Sequence, residues 1–292
     1  MQALRKTFKR EMWYVLFLVP GLFLFTFAVI VPLVTGARYS FTSWDGISSK
    51  LTYIGWDNYV NAVQDSDLWT ALGNTFKYAI IMTVLVNVLS LLFALLLDSY
   101  LPARNLFRTM FFLPSIISVV LTGYIWSYNY SQGFPKLFAA FGMDVTSPLG
   151  NPHYALFGLI VVAVWQGIGP PMIIYIAGLQ GIPGELLESA KIDGAGAFRA
   201  FRNVTLPLLA PSITINMLLT LTGSLKVFDL VYVTTNGGPS FSTEVITTFV
   251  YKTAFSSFKA GYGMAMSMIF FVVLVVVTVV QVSIFRKREV DL

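Results

Sequence analysis

Two ionisable residues, Lys226 and Asp229, stand inside the otherwise apolar run SLKVFDLVYV. A charge at membrane depth costs at least ~2.5 kcal/mol, so such a residue normally faces a bundle interior or a wet cavity. On a helix the i, i+3 spacing puts both on one face, where they can neutralise each other. They then serve as a packing pair, as side chains snorkelling towards the outer interface, or as polar groups on a solute path. Ser224 and Tyr232 flank them. A second group is Trp165–Gln166, an indole and an amide in mid-span, followed by Gly167, Gly169, Pro170 and Pro171. Adjacent prolines remove two backbone donors and kink the helix, which is tolerated where the backbone lines a cavity or is repaired by neighbours. Plain packing is the alternative reading for Trp165. Tyr124, Ser127 and Tyr128 are weaker candidates, and Ser115 and Ser118 are expected to bond their own backbone. The third group is the polar run ELLESAKIDGAGAFRAFRNVTLPLLAPS, residues 185–212, between two apolar segments.

Little else in the chain is equipped for chemistry. It has no cysteine and a single histidine, His153, which leaves out thiol chemistry and leaves little room for histidine-based metal or acid–base sites. No Gly-x-x-x-x-Gly-Lys-Ser/Thr loop is present to cradle a phosphate. The chain is therefore not expected to be an enzyme or to bind a cofactor. The carboxylates fall mostly in loops, where solvation is their usual role.

These groups need elements to position them. The 292 residues are 56% hydrophobic and only 11% charged, with mean hydropathy +0.73, against about 25% charged in soluble domains. An all-α integral membrane protein follows. A spanning helix needs about 20 apolar residues, and six segments qualify, near 13–35, 75–97, 107–128, 154–179, 213–235 and 264–285. The expected division is a cytoplasmic segment 1–12, a six-helix domain 13–285 and a tail 286–292. With both termini inside, twelve Lys and Arg fall in cytoplasmic segments and six in outer ones; the positive-inside rule therefore places both termini, and residues 185–212, in the cytoplasm. The formal charge of +5 marks that face and calls for no nucleic acid.

In the polar run, Pro183 is placed as the first residue of a helix, and Glu185 and Glu188 in its first turns suit the helix dipole. Gly194 is free to take positive φ, and AFRAFRNV can form a second short helix. The pair would lie along the inner membrane surface, and an ordinary interfacial connector is one reading of it. The spacing also resembles the EAA loop of permease subunits of binding-protein-dependent ABC importers. Glu188-Ser189-Ala190 is followed by three residues, Gly194, nine residues and Val204-Thr205-Leu206-Pro207, with Ser189 the only departure from the pattern. The resemblance implies the type I importer permease fold, with a coupling helix at about 183–207 that docks into a groove on a separate ATPase through Glu188, Ser189, Ala190, Asp193, Gly194, Leu206 and Pro207.

The run Phe228-Asp229, Tyr232, Thr235, Gly237-Gly238-Pro239 is similar to carbohydrate permeases of the MalF-like type, as are AGLQGIP, AKIDGA and GYGMAMS. That resemblance covers most of residues 105–285 and is weakest over 1–75. It implies uptake of a sugar or oligosaccharide, with Trp165, Gln166, Ser224, Lys226, Asp229 and Tyr232 as candidates for its path. It further implies a second, MalG-like permease subunit, two ATPase subunits carrying ATP and magnesium, an extracytoplasmic sugar-binding protein, and residence in a bacterial or archaeal cytoplasmic membrane. An ABC permease for another solute, such as a glycerol phosphate or a polyol, and a secondary transporter are the alternatives.

Overall fold

The computed structural model describes Tyr14, residues 16–98 and residues 102–286. The expectations for segment 1–12 and for the tail beyond 286 lie outside the described residues. Among the described residues there is no strand, only an isolated bridge between Thr42 and Tyr53. Among the described residues, three helices are long and apolar enough to cross a membrane: α1 (Leu16–Tyr39), α3 (Ser66–Asp98) and α12, which runs from Ala260 to Arg286. Three bent pairs pass the same test together, which makes six crossings if each pair counts as one. They are α4 (Arg104–Ile116) with α5 (Val119–Ala139), α6 (Ala155–Gly167) with α7 (Gly169–Gln180), and α9 (Ala197–Leu208) with α10 (Ala210–Leu225), bent by 97°, 46° and 68°.

The chain forms two compact units. The first comprises residues 1–65 and 250–269. In it α1 exposes nearly all of its side chains, as expected of a helix whose apolar surface meets lipid on most sides. Gly36 is the exception; it is buried, and a Cβ there would meet Met264 Sδ at 3.4 Å. After α1, Phe41, Tyr53, Trp56 and Tyr59 cluster, the Phe41 and Trp56 rings meeting edge-on at 5.0 Å. The short helix α2 (Asp57–Gln64) is fixed by Asn58, which donates to the Ser40 and Thr42 carbonyls at 2.8 and 2.9 Å.

The second unit comprises residues 66–249 and 270–292. Its centre is α3, which packs along α10, α7 and α6. One core gathers Tyr78, Val86, Leu159, Ile160, Leu230 and Val231; another gathers Ala94, Met172, Tyr175, Ile176 and Leu209. Small residues allow the helices to approach, as is common where lipid removes the hydrophobic driving force between helices. A Cβ at Gly178 would collide with Ser212 Oγ and lie 2.8 Å from Leu209 Cδ1. A polar thread runs through this packing: the Tyr175 hydroxyl donates to Asn87 Oδ1 at 2.6 Å, and Asn87 Nδ2 donates to Thr220 Oγ1 at 2.8 Å.

The breaks are where sequence and structure part. The spans expected at 107–128 and 213–235 are not continuous. The first is interrupted at Ile117 and Ser118, which adopt extended ψ values of 137° and 135° just after a 3₁₀ turn that begins Leu113–Pro114. The second is interrupted at Lys226–Phe228, between α10 and a short helix α11 (Asp229–Thr234). The kink expected at Pro170 and Pro171 is present, with Gly169 opening α7. Gly169 fits because a Cβ there would stand 2.8 Å from Phe112 Cα and 3.0 Å from Phe111 O.

Candidate functional site

The three interruptions meet at one cleft of about 430 Å³ within the second unit. Ser115, Ile117 and Val119 line it from the α4–α5 break, Gln166 and Gly167 from the end of α6, and Lys226, Phe228 and Asp229 from the α10–α11 break. An interrupted helix frees backbone carbonyls, and at membrane depth each needs a partner. Side chains supply them here. Gln166 Nε2 donates to Ile117 O at 2.7 Å and Ser90 Oγ to Ile168 O at 2.8 Å. The Thr247 hydroxyl donates to Val227 O. The breaks are thus closed by their own neighbours, and the cleft keeps a fixed wall of irregular backbone.

Lys226 and Asp229 do not sit on one helical face, and they form no ion pair. Because the helix ends at Leu225, Lys226 lies in a turn and Asp229 opens the next helix. Both are exposed to the cleft rather than sealed in a packing contact. Ser224 is buried at the same wall. Gln166 therefore has two roles, closing the Ile117 break and lining the cleft. Trp165 is placed elsewhere: it lines an apolar opening with Leu89, Phe93, Phe111 and Val161, and meets the Trp126 ring edge-on at 5.6 Å. Tyr232 is outside the lining as well, its ring stacked on Phe228 at 5.2 Å. Of the weaker candidates, Ser115 lines the cleft and bonds Phe112 O at 2.7 Å, while Tyr124 and Tyr128 are exposed and outside it.

Tyr78, Thr220 and Gly223 also line the cleft, and none was singled out from the sequence. Tyr78 is one aromatic among many in an apolar helix, and only its position on the face of α3 toward the breaks marks it. The NGGP run proves to be a closed loop. Gly237 takes φ +79°, Gly238 N donates to Thr235 O at 2.9 Å, and Thr243 Oγ1 donates to Gly238 O at 2.7 Å. Asn74 ties it to α3 through the carbonyls of Phe241 and Glu244.

The polar connection folds as α8 (Gly184–Ile192), a turn, and α9. Pro183 is the cap rather than the first helical residue, with ψ 127°. Gly194 takes φ +76° and Ala195 N donates back to Ala190 O at 2.9 Å, ending α8 in a left-handed turn. Glu188, Ser189, Asp193 and Gly194 are exposed and Ala190 is half-buried. No residue of α8 is buried, and the apolar side chains of Ile192 and Phe198 are 86% and 75% exposed. Leu206 is half-buried and Pro207 exposed, in the last turn of α9.

Comparison with known proteins gives this arrangement a context. Residues 87–290 match the family described as binding-protein-dependent transport system inner membrane component. The chain is 37% identical over 288 residues to a "Probable starch degradation products transport system permease protein AmyD" of Thermoanaerobacterium thermosulfurigenes, covering 98% of each. It is 34% identical to the "Multiple sugar-binding transport system permease protein MsmF" of Streptococcus mutans, over 95% of this chain and 97% of that protein. It is 31% identical to the "Trehalose/maltose transport system permease protein MalF" of Thermococcus litoralis, over 85% and 87%. Among solved structures, a chain from a bacterial ABC transporter involved in the import of the acidic polysaccharide alginate has the same fold, with a TM-score of 0.85 at 22% identity over 97% and 98% of the two chains. The matched region takes in the polar connection and the third to sixth apolar segments, and with relatives above 30% identity over most of both chains it settles the assignment: the chain belongs to the family of inner membrane components of binding-protein-dependent transport systems.

Proposed function

We propose that the chain is the transmembrane permease subunit of an ATP-driven importer for sugars or oligosaccharides, and that it forms half of the translocation pathway. The observation that carries this reading is the cleft: three interrupted helices meet there, and their breaks present Gln166, Ser224, Lys226 and Asp229 together. Non-helical backbone at membrane depth is tolerated where it lines a cavity, and donors and acceptors beside Tyr78 and Phe228 suit a hydroxyl-rich solute. The names of the relatives, which refer to starch degradation products, multiple sugars and trehalose or maltose, point the same way.

Coupling falls to α8 and the turn after it. Two exposed apolar side chains, Ile192 and Phe198, beside the exposed acids Glu188 and Asp193 make a surface suited to a groove on a cytoplasmic ATPase, where the acids can pair with basic groups. Hydrolysis of ATP, with its magnesium, belongs to two such subunits. A second, MalG-like permease subunit completes the bundle, and an extracytoplasmic sugar-binding protein delivers the solute. Both termini lie in the cytoplasm by the positive-inside rule.

The test is to place Trp at Gly194 and Lys at Glu188. Gly194→Trp puts bulk into a left-handed turn with open space around it; an L side chain at φ +76° strains that turn by about 1–2 kcal/mol, a cost confined to a loop that follows a helix with no buried residue, while the added bulk stands where docking occurs. Each variant should reach the membrane at normal abundance and lose uptake and ATPase stimulation together. Cysteines placed at Ala190 and in the ATPase groove should crosslink. Normal transport by Gly194→Trp would remove the coupling role from this loop.

A further inference from the structure

The first unit holds an opening of its own, of about 520 Å³, within the range of ordinary ligand clefts, about 300–1,000 Å³. Trp44, Asn61, Gln64, Asp65, Lys259 and Tyr262 supply its chemistry. Its walls are built from backbone. Gly261 N donates to Trp44 O at 2.8 Å, and a Cβ at Gly261 would strike the Thr42 carbonyl, so the GYGMAMS run opens the last helix with a glycine because the 42–44 segment lies against it. Phe258, a non-glycine residue at φ +53°, turns the chain into Lys259; such strained positions cluster at functional sites.

The side chains are set out for a ligand. The indole N–H of Trp44 is spent on Ser48 O at 2.9 Å, and Ser48 is held by the Asp45 carboxylate, so Trp44 offers the opening ring surface rather than a donor. The Tyr262 hydroxyl donates to Asp65 Oδ2 at 2.8 Å and orients that carboxylate. Helix α2 turns Asn58, Asn61 and the adjoining Asp65 towards the opening, while Val60 and Val63 are exposed on its other side. Asn58 is consumed by backbone carbonyls. The amides of Asn61 and Gln64 are exposed and make no hydrogen bond among the described residues.

We propose that this opening is a second saccharide site, separate in kind from the membrane cleft, which takes a neutral oligosaccharide. Asp65 and Lys259 cancel in charge, which disfavours an ion. Two free amides provide donors and acceptors for hydroxyls, the oriented carboxylate accepts from a vicinal pair, and the Trp44 ring meets the apolar face of a sugar ring. In the proposed orientation both contributing segments are external, so the site meets solute arriving from outside. The inference rests on the sugar reading above, and its test separates the two.

The assembled importer in lipid nanodiscs is photolabelled with diazirine-bearing maltotriose, and the labelled peptides are mapped. Label is expected in residues 36–65 or 250–263 and, independently, in residues 213–235. The double variant Asn61→Ala, Gln64→Ala, which alters only exposed amides, should weaken labelling of the first region about ten-fold, as for two lost hydrogen bonds, and leave the second. Label confined to 213–235, or first-region label unchanged in the double variant, overturns the second site and leaves the sugar reading standing. Absence of label from both regions overturns both. If the double variant instead weakens retention of the sugar-free binding protein while the label persists, the opening is a protein-docking surface and the saccharide assignment falls.

Discussion

Lys226 and Asp229 carry opposite charges three residues apart, yet the helix that would pair them ends at Leu225 and restarts at Asp229. A buried pair loses stability when one partner is removed, because the other charge is stranded. Two charges that face a cleft separately do not. Lys226→Ala and Asp229→Ala should therefore each leave membrane abundance unchanged and lower uptake at limiting sugar, while ATP hydrolysis by the assembled importer persists. Quantitative immunoblotting beside uptake at several sugar concentrations checks this; loss of protein in the singles, with recovery in the double, would return the residues to a packing role. At this scale the sequence was informative about which residues matter and less so about how they are arranged. A charge in an apolar run is visible as a letter, and so is Gln166. Whether Trp165 turns to the cleft or to Trp126 depends on the direction of one face of α6, and residue spacing does not fix that for a helix apolar all round.

The elements were legible by length and composition, and their interruptions only in part. Pro170 and Pro171 announce the kink after Gly167. Pro114 gives a weaker sign of the α4–α5 break, because proline also occurs in continuous spanning helices. Nothing local announces the break at Lys226–Phe228; it is sustained by Thr247, a residue of a later segment, which donates to Val227 O. Long-range capping of this kind has no sequence signature. The breaks also rest on close backbone approach. At Gly169 an added side chain meets Phe112 Cα and Phe111 O, backbone atoms that cannot swing aside. Gly169→Leu should destabilise the second unit by about 1–3 kcal/mol, lowering the melting temperature in detergent by about 5 °C. Gly223→Ala, with open space around the new methyl group, should leave it unchanged. Equal melting of both variants and wild type would show that the α4–α7 contact is not a constraint on the fold.

For the whole molecule, the fold class followed from composition, whereas the division into two compact units did not, because residues 250–269 join residues 1–65 across most of the chain's length. Topology is an expectation from charge, and reporters test it. One fused after Leu292 or inserted near Ala103 should read cytoplasmic, and one near Ser147 or Ser240 external; a cytoplasmic signal at Ser147 would overturn the six-crossing arrangement. The central claim is that solute passes this chain's cleft at the expense of ATP hydrolysed beneath its polar loop. Its most direct measurement is maltotriose accumulation and ATP hydrolysis recorded together in proteoliposomes holding the complete importer with its binding protein. The account predicts ATP-dependent accumulation in wild type, loss of accumulation and of stimulated hydrolysis in Gly194→Trp, and hydrolysis retained with reduced accumulation at limiting sugar in Asp229→Ala. Accumulation that continues without ATP, or that is untouched by both substitutions, would contradict it.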